Sequence, residues 1–479
     1  MLERVKQFFA AQDMTTGKPM RNITKFAVPL LIGNLAQQLY STVDSIVVGK
    51  YCTVEVHGYD GVDALAAIGV STPILFLLMV LFISVGTGAG ILVAQYFGAR
   101  DKDNLARCVG TSLVLTTIVS ILVTAIGVPL AGPLLRLINT PAAYYEIARA
   151  YLQILLIGII GSGFYNIVSG ILRGLGDAFY PLLFLVISAL LNIVLDLWFV
   201  IGFEMGVSGV AWATIIAQAV SAILCLIRLR MMKNLLVLKR GDIALNRVMS
   251  GKILRIGLPS GLTQGIFSLA MVFVQSLTNQ MGNFVPAISM AVMRVDGFAM
   301  LPNFTFGLAI STYIGQNIGA GKIERVKPGE RAVLKLALSC SVALVILLVI
   351  WGRQLIGLFL NPETTDPAVY AKVLSLGGNA QRILAIGYVG MAITQIYGGI
   401  LRAAGDTMST MYISIITTVV LRVPLTYGIA YLTRSEEWAA GHPYALFVSM
   451  LVSWLLGALL TYLRFRQGKW KNIKLVEQH

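Results

Sequence analysis

The chain has 479 residues, of which 57% are apolar and 12% are charged, and its formal net charge is +15. With a mean hydropathy of +0.79, it carries more apolar surface than a soluble core of this size could bury, which excludes an ordinary soluble protein. The basic residues stand in short loops and tails between apolar runs, where they orient a membrane protein, so we expect no nucleic acid partner. The four cysteines are isolated and predict neither a disulfide framework nor a zinc site.

Twelve apolar segments follow one another along the chain, each close to the ~20 residues that a helix needs to cross a bilayer. They are placed at residues 26–49, 66–96, 108–130, 148–172, 179–201, 207–228, 253–278, 285–316, 332–352, 374–400, 409–431 and 443–464. The sequence therefore predicts an all-α membrane protein of twelve transmembrane helices, here numbered as spans 1 to 12.

Lysine and arginine residues outside the spans are distributed unequally between the two sides of the membrane. The loops and tails on the side of both termini hold 28 of them, and the opposite loops hold 6. Because such residues accumulate in cytoplasmic loops, both termini are predicted to be cytoplasmic. We expect a multi-pass protein of the cell's inner (plasma) membrane.

Short patterns that occur twice in the same order predict an internal duplication. Gly170–Asp177 recurs as Gly399–Asp406 at a displacement of 229, and Gln95–Ala99 recurs as Gln316–Ala320 at a displacement of 221. The proline near the start of span 1 recurs near the start of span 7 at a displacement of 230. Six spans per half is an even number, so the two six-helix lobes should share one orientation and be related by a pseudo-two-fold axis along the membrane normal.

The predicted domains follow from this duplication. Residues 1–25 form a cytoplasmic N-terminal segment, 26–228 the first lobe, 229–252 a cytoplasmic linker, 253–464 the second lobe and 465–479 a basic cytoplasmic tail. Transporters built from such repeats bind substrate near the bilayer midplane, between halves that rock against each other.

Polar side chains inside the spans of the first lobe mark a wet cavity. Asn192 and Asp196 are four residues apart on span 5 and therefore share one helix face. Gln37, Ser41 and Asp44 form a stripe on span 1. A carboxylate near the middle of a span costs roughly 2.5–3.5 kcal/mol on insertion scales, so it normally faces a cavity or a partner and marks an ion, proton or substrate path. Span 6 adds Thr214 and Gln218, again four apart.

These oxygen atoms suit a hard cation, and a desolvated carboxylate can also exchange a proton near physiological pH. The alternative interpretation is structural: Asp44 would lie near the outer membrane face, and Asp196 would only tie helices together.

The second lobe does not copy this set, because Arg422 corresponds to Asn192 at the displacement of 230. The other ionisable residues that we expect to be buried in this lobe are Arg294 and Asp296 on span 8. These two are two residues apart and do not share a helix face, which makes Arg422 the better candidate partner for Asp296. We expect an internal ion pair that locks helices together, in preference to an ion-binding site.

No catalytic motif is present. Gly86–Gly90 is rich in glycine, but it lies within a span and follows no strand, so helix packing explains it better than phosphate binding. There is no Ser/His/Asp set, metal-ligand cluster or Walker sequence. We therefore expect neither an enzyme nor a bound cofactor. Because the chain offers no site for ATP, we expect its energy to come from an ion gradient, with H⁺ or Na⁺ as the coupling ion.

The chain resembles the multidrug and toxic compound extrusion (MATE) family over essentially all twelve spans. The resemblance rests on Val43 with Asp44, Gln95–Ala99, Leu172–Asp177, Asn192–Asp196 and Gly206–Thr214. It implies a coupling site in the first lobe at Asp44, Asn192, Asp196 and Thr214, which would also be the site of a bound Na⁺.

Spans 7 and 10 lack the acids of another branch of the family and offer Gln264, Gln275 and Gln395 instead, which makes the chain more similar to the DinF-like branch. The resemblance implies that Pro29 is the hinge about which span 1 bends.

The resulting hypothesis is a secondary antiporter that exports amphipathic, mostly cationic organic compounds in exchange for H⁺ or Na⁺ by alternating access. We expect a monomer whose partners are such compounds and membrane lipids. The predicted substrate cavity is lined by Gln37, Tyr40, Ser41, Tyr165, Asn166, Gln218 and Gln264. A flippase for lipids or lipid-linked precursors is the alternative, although few basic residues lie within the spans. A membrane enzyme acting on lipids would need a nucleophile or metal set that the sequence lacks.

Overall fold

The computed structural model describes residues 11–138, 140–282, 285–358 and 367–476, except for the side chains of 39–42, 45, 368 and 369. Among the helices of eight or more residues in the described chain, the first seven are α1 Pro19–Tyr51, α2 Gly61–Gly98, α3 Lys102–Leu137, α4 Ala142–Ile157, α5 Ile159–Gly174, α6 Phe179–Leu197 and α7 Gly206–Met231. The following seven are α8 Arg247–Gln280, α9 Val285–Gly319, α10 Val326–Gly357, α11 Pro367–Ala403, α12 Thr407–Ser414, α13 Arg422–Leu432 and α14 Tyr444–Arg466.

The prediction of an all-α membrane protein is confirmed, and the helices follow the order of the predicted spans. Within the described residues, ten helical segments are long and apolar enough to cross a membrane, and the pair α4 and α5, bent by 49°, supplies an eleventh. Helix α1 is 33 residues long and corresponds to span 1, but it is not among these because polar side chains occur along it. Most helices extend beyond the predicted bounds by one or more turns.

The predicted fifth span of each half contains one π-helical segment. Helix α6 continues into a π-helical turn at Trp198–Gly202, and α12 is joined to α13 by a π-helical segment at Ile415–Leu421. Asp196 lies just before the first segment, and Arg422 lies directly after the second. Because π-helical turns are rare and occur frequently at functional sites, both charges stand at unusual points of the backbone.

The duplicated Gly170–Asp177 pattern ends a helix in the same way in both copies. Gly176 and Gly405 have φ angles of +85° and +94°, a left-handed conformation that favours glycine. The next residue then turns back, and the Asp177 and Asp406 N–H groups each donate to a carbonyl five residues earlier at 2.8 Å. Both copies therefore form one compact turn that presents an aspartate.

By its internal contacts the chain forms two compact units, each described by itself. Within the described residues, the first unit comprises the chain up to Gly261 together with Gly315–Ile323 and the segment from Leu475 onward. The second comprises Leu262–Ile314 and Glu324–Lys474. The division falls inside α8 and α9, and the predicted lobe boundaries at 228 and 253 stay predictions.

Both copies of the Gln95–Ala99 pattern meet inside the first unit. A methyl group on Gly98 would overlap the Gln316 carbonyl oxygen, and one on Gly319 would overlap the Gln95 carbonyl oxygen. The ends of α2 and α9 therefore cross with their backbones in close contact, which only small residues permit. Each copy of the pattern thus supplies one of the two glycines at this crossing.

The side chain of Gln316 also fixes the segment that precedes α1. Its amide oxygen accepts a hydrogen bond from Met14 N at 2.9 Å, and its amide nitrogen donates to Gly174 O at 3.0 Å. The next residue, Asn317, donates to Met14 O at 3.1 Å. These buried bonds fix the start of the described chain in place within the first unit.

Candidate functional site

Three side chains predicted for the coupling site lie together in the first unit. Asn192 and Asp196 on α6 are buried, with 1% and 0% of their surface exposed, and Asn192 Nδ2 donates to Asp196 Oδ1 at 3.4 Å. The carboxyl group of Asp44 on α1 contacts that of Asp196 within hydrogen-bonding range. Two carboxyl groups can form a hydrogen bond only if one of them carries a proton, so this contact is a place where a single proton can be shared.

The neighbouring helices hold α6 in position. Ser188 on α6 donates to Ala217 O on α7 at 2.6 Å, and Ser221 on α7 donates to Phe184 O on α6 at 3.2 Å. Gly33 lies directly against Leu182 where α1 meets α6. The acid pair is therefore formed by two helices with fixed packing, of which α6 is also anchored to α7.

Tyr151 is a member of this cluster that the sequence did not indicate. It is 9% exposed on α4 and interacts electrostatically with both Asp44 and Asp196. A phenol next to an acid pair can donate to an ionised carboxylate. The only signal in the sequence is a tyrosine near the start of span 4, which a core residue would equally explain.

The other two predicted polar residues of α7 have separate surroundings. Thr214 donates its hydroxyl to Val210 O of its own helix at 2.8 Å, and no contact that the structure describes joins it to the acid pair. Gln218 Oε1 is buried without a hydrogen-bond partner in the described chain, as are Asn192 Oδ1 and Asp196 Oδ2. Buried acceptors of this kind suit a cation or a proton, since unsatisfied buried polar atoms are rare in proteins.

The predicted cavity residues are only partly described. Tyr40 and Ser41 belong to α1, but their side chains lie outside the described part of the chain, and Gln37 is exposed. Tyr165 donates to Pro181 O at 3.4 Å, and Asn166 donates to Ser162 O at 2.8 Å. In the second unit, Gln264 is half-buried on α8. Their assignment to a common cavity stays a prediction, as does the hinge at Pro29, which lies within the continuous helix α1.

The charged residues of the second unit do not form the ion pair that the sequence predicted. Asp296 Oδ1 accepts hydrogen bonds from the Tyr388 hydroxyl and from Gln381 Nε2, the latter at 3.4 Å. Arg422 interacts with Asp296 only electrostatically and forms none of the ion pairs within 4.0 Å in the described residues. Arg294 is exposed. The prediction of a direct pair was wrong because polar side chains of α11 donate hydrogen bonds to the Asp296 carboxylate instead.

The repeated aspartates form the same ion pair in both units. Asp177 binds Arg228 at the end of α7, and Asp406 binds Arg464 at the end of α14, each at 2.8 Å. Arg228 also lies over the ring of Tyr180 at 3.7 Å. Burial raises the pKa of Asp177, which lies in the turn between α5 and α6, and the Arg228 charge offsets part of that rise. Sequence inspection found the motif but not these arginine partners.

A bundle of membrane-crossing helices with a buried acid pair defines a multi-pass membrane protein of the transporter class. The model of the MatE family matches the chain twice, over residues 29–198 and 259–428, so that the second match repeats the first at the displacement of the two prolines. The chain therefore belongs to the MatE family, which is a family of transporters and not of enzymes. The double match also confirms the internal duplication.

Known proteins of this family resemble the chain along most of its length. The probable multidrug resistance protein YpnP of Bacillus subtilis is 30% identical over 469 residues, which cover 97% of this chain and 99% of that protein. The DNA damage-inducible protein F of Escherichia coli is 29% identical over 61% of this chain and 62% of its own length. A solved outward-facing multidrug resistance MATE transporter has a TM-score of 0.85 and 25% identity, covering 96% of this chain and 98% of that one.

Proposed function

We propose that this protein is a secondary antiporter that exports amphipathic, mostly cationic organic compounds in exchange for H⁺ or Na⁺. The observation that supports it best is the buried contact between the carboxyl groups of Asp44 and Asp196 beside Asn192. Relatives described as multidrug resistance proteins support organic compounds as the substrate class.

The acid pair offers a physical reason for exchange. With both carboxyl groups ionised, Asp44 and Asp196 repel each other and favour a positively charged occupant. One proton between them removes most of this repulsion and most of the attraction for a second cation. An entering coupling ion and a departing organic cation therefore compete for the same negative charge, which links the two movements.

Na⁺ is the other candidate coupling ion, and the donor set fits it in part. Asn192 Oδ1 and Asp196 Oδ2 are buried oxygen acceptors without a partner in the described chain, and oxygen is the ligand that hard cations prefer. Thr214 would have to turn toward them to complete the set that the family resemblance implies. The proton needs no such rearrangement, and we propose it as the main coupling ion.

The test is efflux of several fluorescent organic cations from proteoliposomes under separately imposed gradients. We expect export driven by an inward proton gradient, with a smaller response or none to a sodium gradient of equal size. Movement of a labelled lipid between leaflets with no dye export would favour the flippase alternative. Export that follows neither gradient would contradict the proposal.

We further propose that the protein works as a monomer in the plasma membrane with both termini in the cytoplasm. The distribution of basic residues supports this orientation, with 28 on one side against 6 on the other. Labelling of single cysteines introduced into the loop at 98–107 and into the loop near Arg434 tests it in intact cells. Only the second position should react with a reagent that does not cross the membrane.

A further inference from the structure

The second unit contains a buried carboxyl group that the proposed exchange does not use. Asp296 on α9 is 6% exposed, and its Oδ1 atom accepts hydrogen bonds from Tyr388 and Gln381, which are fully buried on α11. Arg294 precedes it by two residues, is exposed and does not share its helix face. The charged or titratable groups that face Asp296 are therefore Tyr388 and, at longer range, Arg422.

The hydrogen bonds around Asp296 fit both of its protonation states. The Tyr388 hydroxyl has one proton and two acceptors within reach, Asp296 Oδ1 and, at 3.2 Å, Gln381 Oε1. When Asp296 is ionised, Tyr388 donates to it. When Asp296 carries a proton, the carboxyl group can donate to the Tyr388 oxygen while Tyr388 donates to Gln381. A proton can thus bind or leave without movement of the heavy atoms.

The Gln381 amide is itself held in place by the backbone. Its nitrogen donates to Val292 O, one helical turn before Asp296 on α9, at 3.2 Å. The acceptor that receives the Tyr388 proton is therefore fixed relative to the carboxyl group. Asp296 therefore belongs to a buried hydrogen-bond network and is not an isolated acid exposed to lipid.

Arg422 is the group whose electrostatic surroundings depend on this proton. It is 4% exposed, its Nη1 and Nη2 atoms contact the sulfur atoms of Met271 and Met450 at 3.7 and 3.4 Å, and its Nε atom is buried without a partner in the described chain. Thioether sulfur is a weak acceptor and carries no charge. A proton on Asp296 would therefore change the net charge of Asp296 and Arg422 together from zero to +1.

The duplication supplies an independent reason to treat this cluster as a site. At the displacement that relates the two halves, Gln381 and Arg422 correspond to Tyr151 and Asn192, which surround the acid pair of the first unit. In both units the residues at these two positions therefore interact with a buried carboxyl group, Arg422 doing so only at longer range. The acids themselves come from different helices, since Asp296 corresponds to an alanine in the first half.

We propose that Asp296 is a second proton-binding site, separate from the acid pair of the first unit. Tyr388 and Gln381 form this site with it, and the proton changes the electrostatic surroundings of Arg422. The proposal goes beyond the proposed exchange, because a proton can bind Asp296 whether or not the acid pair couples transport. Its consequence for transport is that each protein molecule binds one proton more than the acid pair accounts for.

Infrared spectra of the purified full-length protein in detergent, recorded through a pH titration, test this directly. A protonated carboxyl group gives a carbonyl-stretch band that vanishes on ionisation. We expect the variant Asp44→Asn/Asp196→Asn to retain a titrating band, and the further change Asp296→Asn to remove the amplitude of one carboxyl group. Identical titrations of the double and triple variants would overturn the proposal.

Two further variants in the same double background keep the test independent of any folding defect in the triple variant. Tyr388→Phe should move the Asp296 band to higher wavenumber, because the carboxyl group loses a hydrogen-bond partner. Glu330→Gln is the matched control, since Glu330 also accepts a tyrosine hydroxyl, from Tyr397 at 2.9 Å, but is only half-buried; the band should stay unchanged. An unmoved band in Tyr388→Phe, or loss of the band in Glu330→Gln, would contradict the assignment. Failure of the proposed antiport would instead appear in the efflux assay.

Discussion

The two halves of this chain share their helix-end contacts and differ in their buried charges. Both copies of the repeated turn place an aspartate on an arginine of the last helix of the half, Asp177 on Arg228 and Asp406 on Arg464. The second repeated pattern is used twice in a single crossing, with Gly98 and Gly319 each facing the other copy. Contacts that set how helices end and cross have thus been kept in both halves.

The polar residues within the spans have diverged. Asn192 and Asp196 correspond to Arg422 and Thr426 at a displacement of 230, and Asp44 corresponds to a valine. The Thr426 hydroxyl lies 2.6 Å from Arg422 O and 2.7 Å from the Ser449 hydroxyl, either of which can accept its proton, so this position has become part of helix packing. A duplicated membrane scaffold can therefore keep its packing while each half acquires its own charged cluster. Substitutions at matched positions of the two halves measure this difference.

The largest effect is expected at the acid pair. Asp196→Asn removes a negative charge that the proposed exchange requires, while the amide can still occupy the same space. Gradient-driven dye efflux from proteoliposomes should fall to the level of empty vesicles, with little change in thermal stability in detergent. Thr426→Val, at the matched position of the second half, should leave efflux measurable. Full gradient-driven transport by Asp196→Asn would refute the role of the acid pair.

The next largest effect separates the two repeated ion pairs. Removing one partner of a buried pair costs roughly 3–5 kcal/mol, and an exposed pair contributes about 0–1 kcal/mol. The side chains of Asp177 and Arg228 are 0% and 17% exposed, against 7% and 24% for Asp406 and Arg464. Asp177→Asn should therefore lower the melting temperature more than Asp406→Asn.

The control for these two variants is Glu146→Gln, which breaks an exposed pair with Arg149 at 3.5 Å. It should leave the melting temperature almost unchanged. Equal losses from Asp177→Asn and Asp406→Asn would mean that burial does not determine the strength of these pairs. The measurement is thermal unfolding in one detergent, followed by intrinsic fluorescence.

A smaller effect is expected at the glycine crossing, where the two copies should respond alike. Gly98→Ala and Gly319→Ala each force a methyl group into a backbone carbonyl, and overpacking of this kind costs typically about 1–3 kcal/mol. Gly69→Ala on α2 is the matched control, because nothing lies within 4 Å of the added methyl group. It should be neutral or slightly stabilising, since alanine favours a helix over glycine. A loss at Gly98 without one at Gly319 would show that the crossing is not symmetric.

The smallest effect concerns an exposed ion pair of the second half, between Lys372 and Glu437 at 2.7 Å, whose positions in the first half are apolar. The hydrogen bond and charge of Lys372 lower the pKa of Glu437. The stabilisation is therefore present above the ordinary pKa of a glutamate and is lost as the pH falls through the lowered value. Glu437→Gln should reduce the melting temperature slightly near neutral pH and not in acid. A difference that grows on acidification would have the wrong sign.

Much of the fold could be predicted from the sequence because a bilayer restricts the possible structures so strongly. Backbone groups within lipid are satisfied only in helices or closed barrels, and apolar segments of about 20 residues have the length of spanning helices. Repeated turns and crossings also left recognisable patterns such as Gly170–Asp177. The acids at 44 and 196 stood out for the same reason, since charges inside a span need a partner or a cavity. Composition, periodicity and internal repetition thus determined the class, the helix order and the acidic residues of the candidate site.

Only the tertiary structure decided which polar groups touch. It placed Tyr151 beside the acid pair and paired Asp177 with Arg228. It also showed that Asp296 accepts hydrogen bonds from Tyr388 and Gln381 and forms no ion pair with Arg422. These partners lie far apart along the chain, on different helices or turns whose rotation no local pattern records. Contacts between helices depend on how each helix turns about its axis, and that angle is set by the packing of all its neighbours at once.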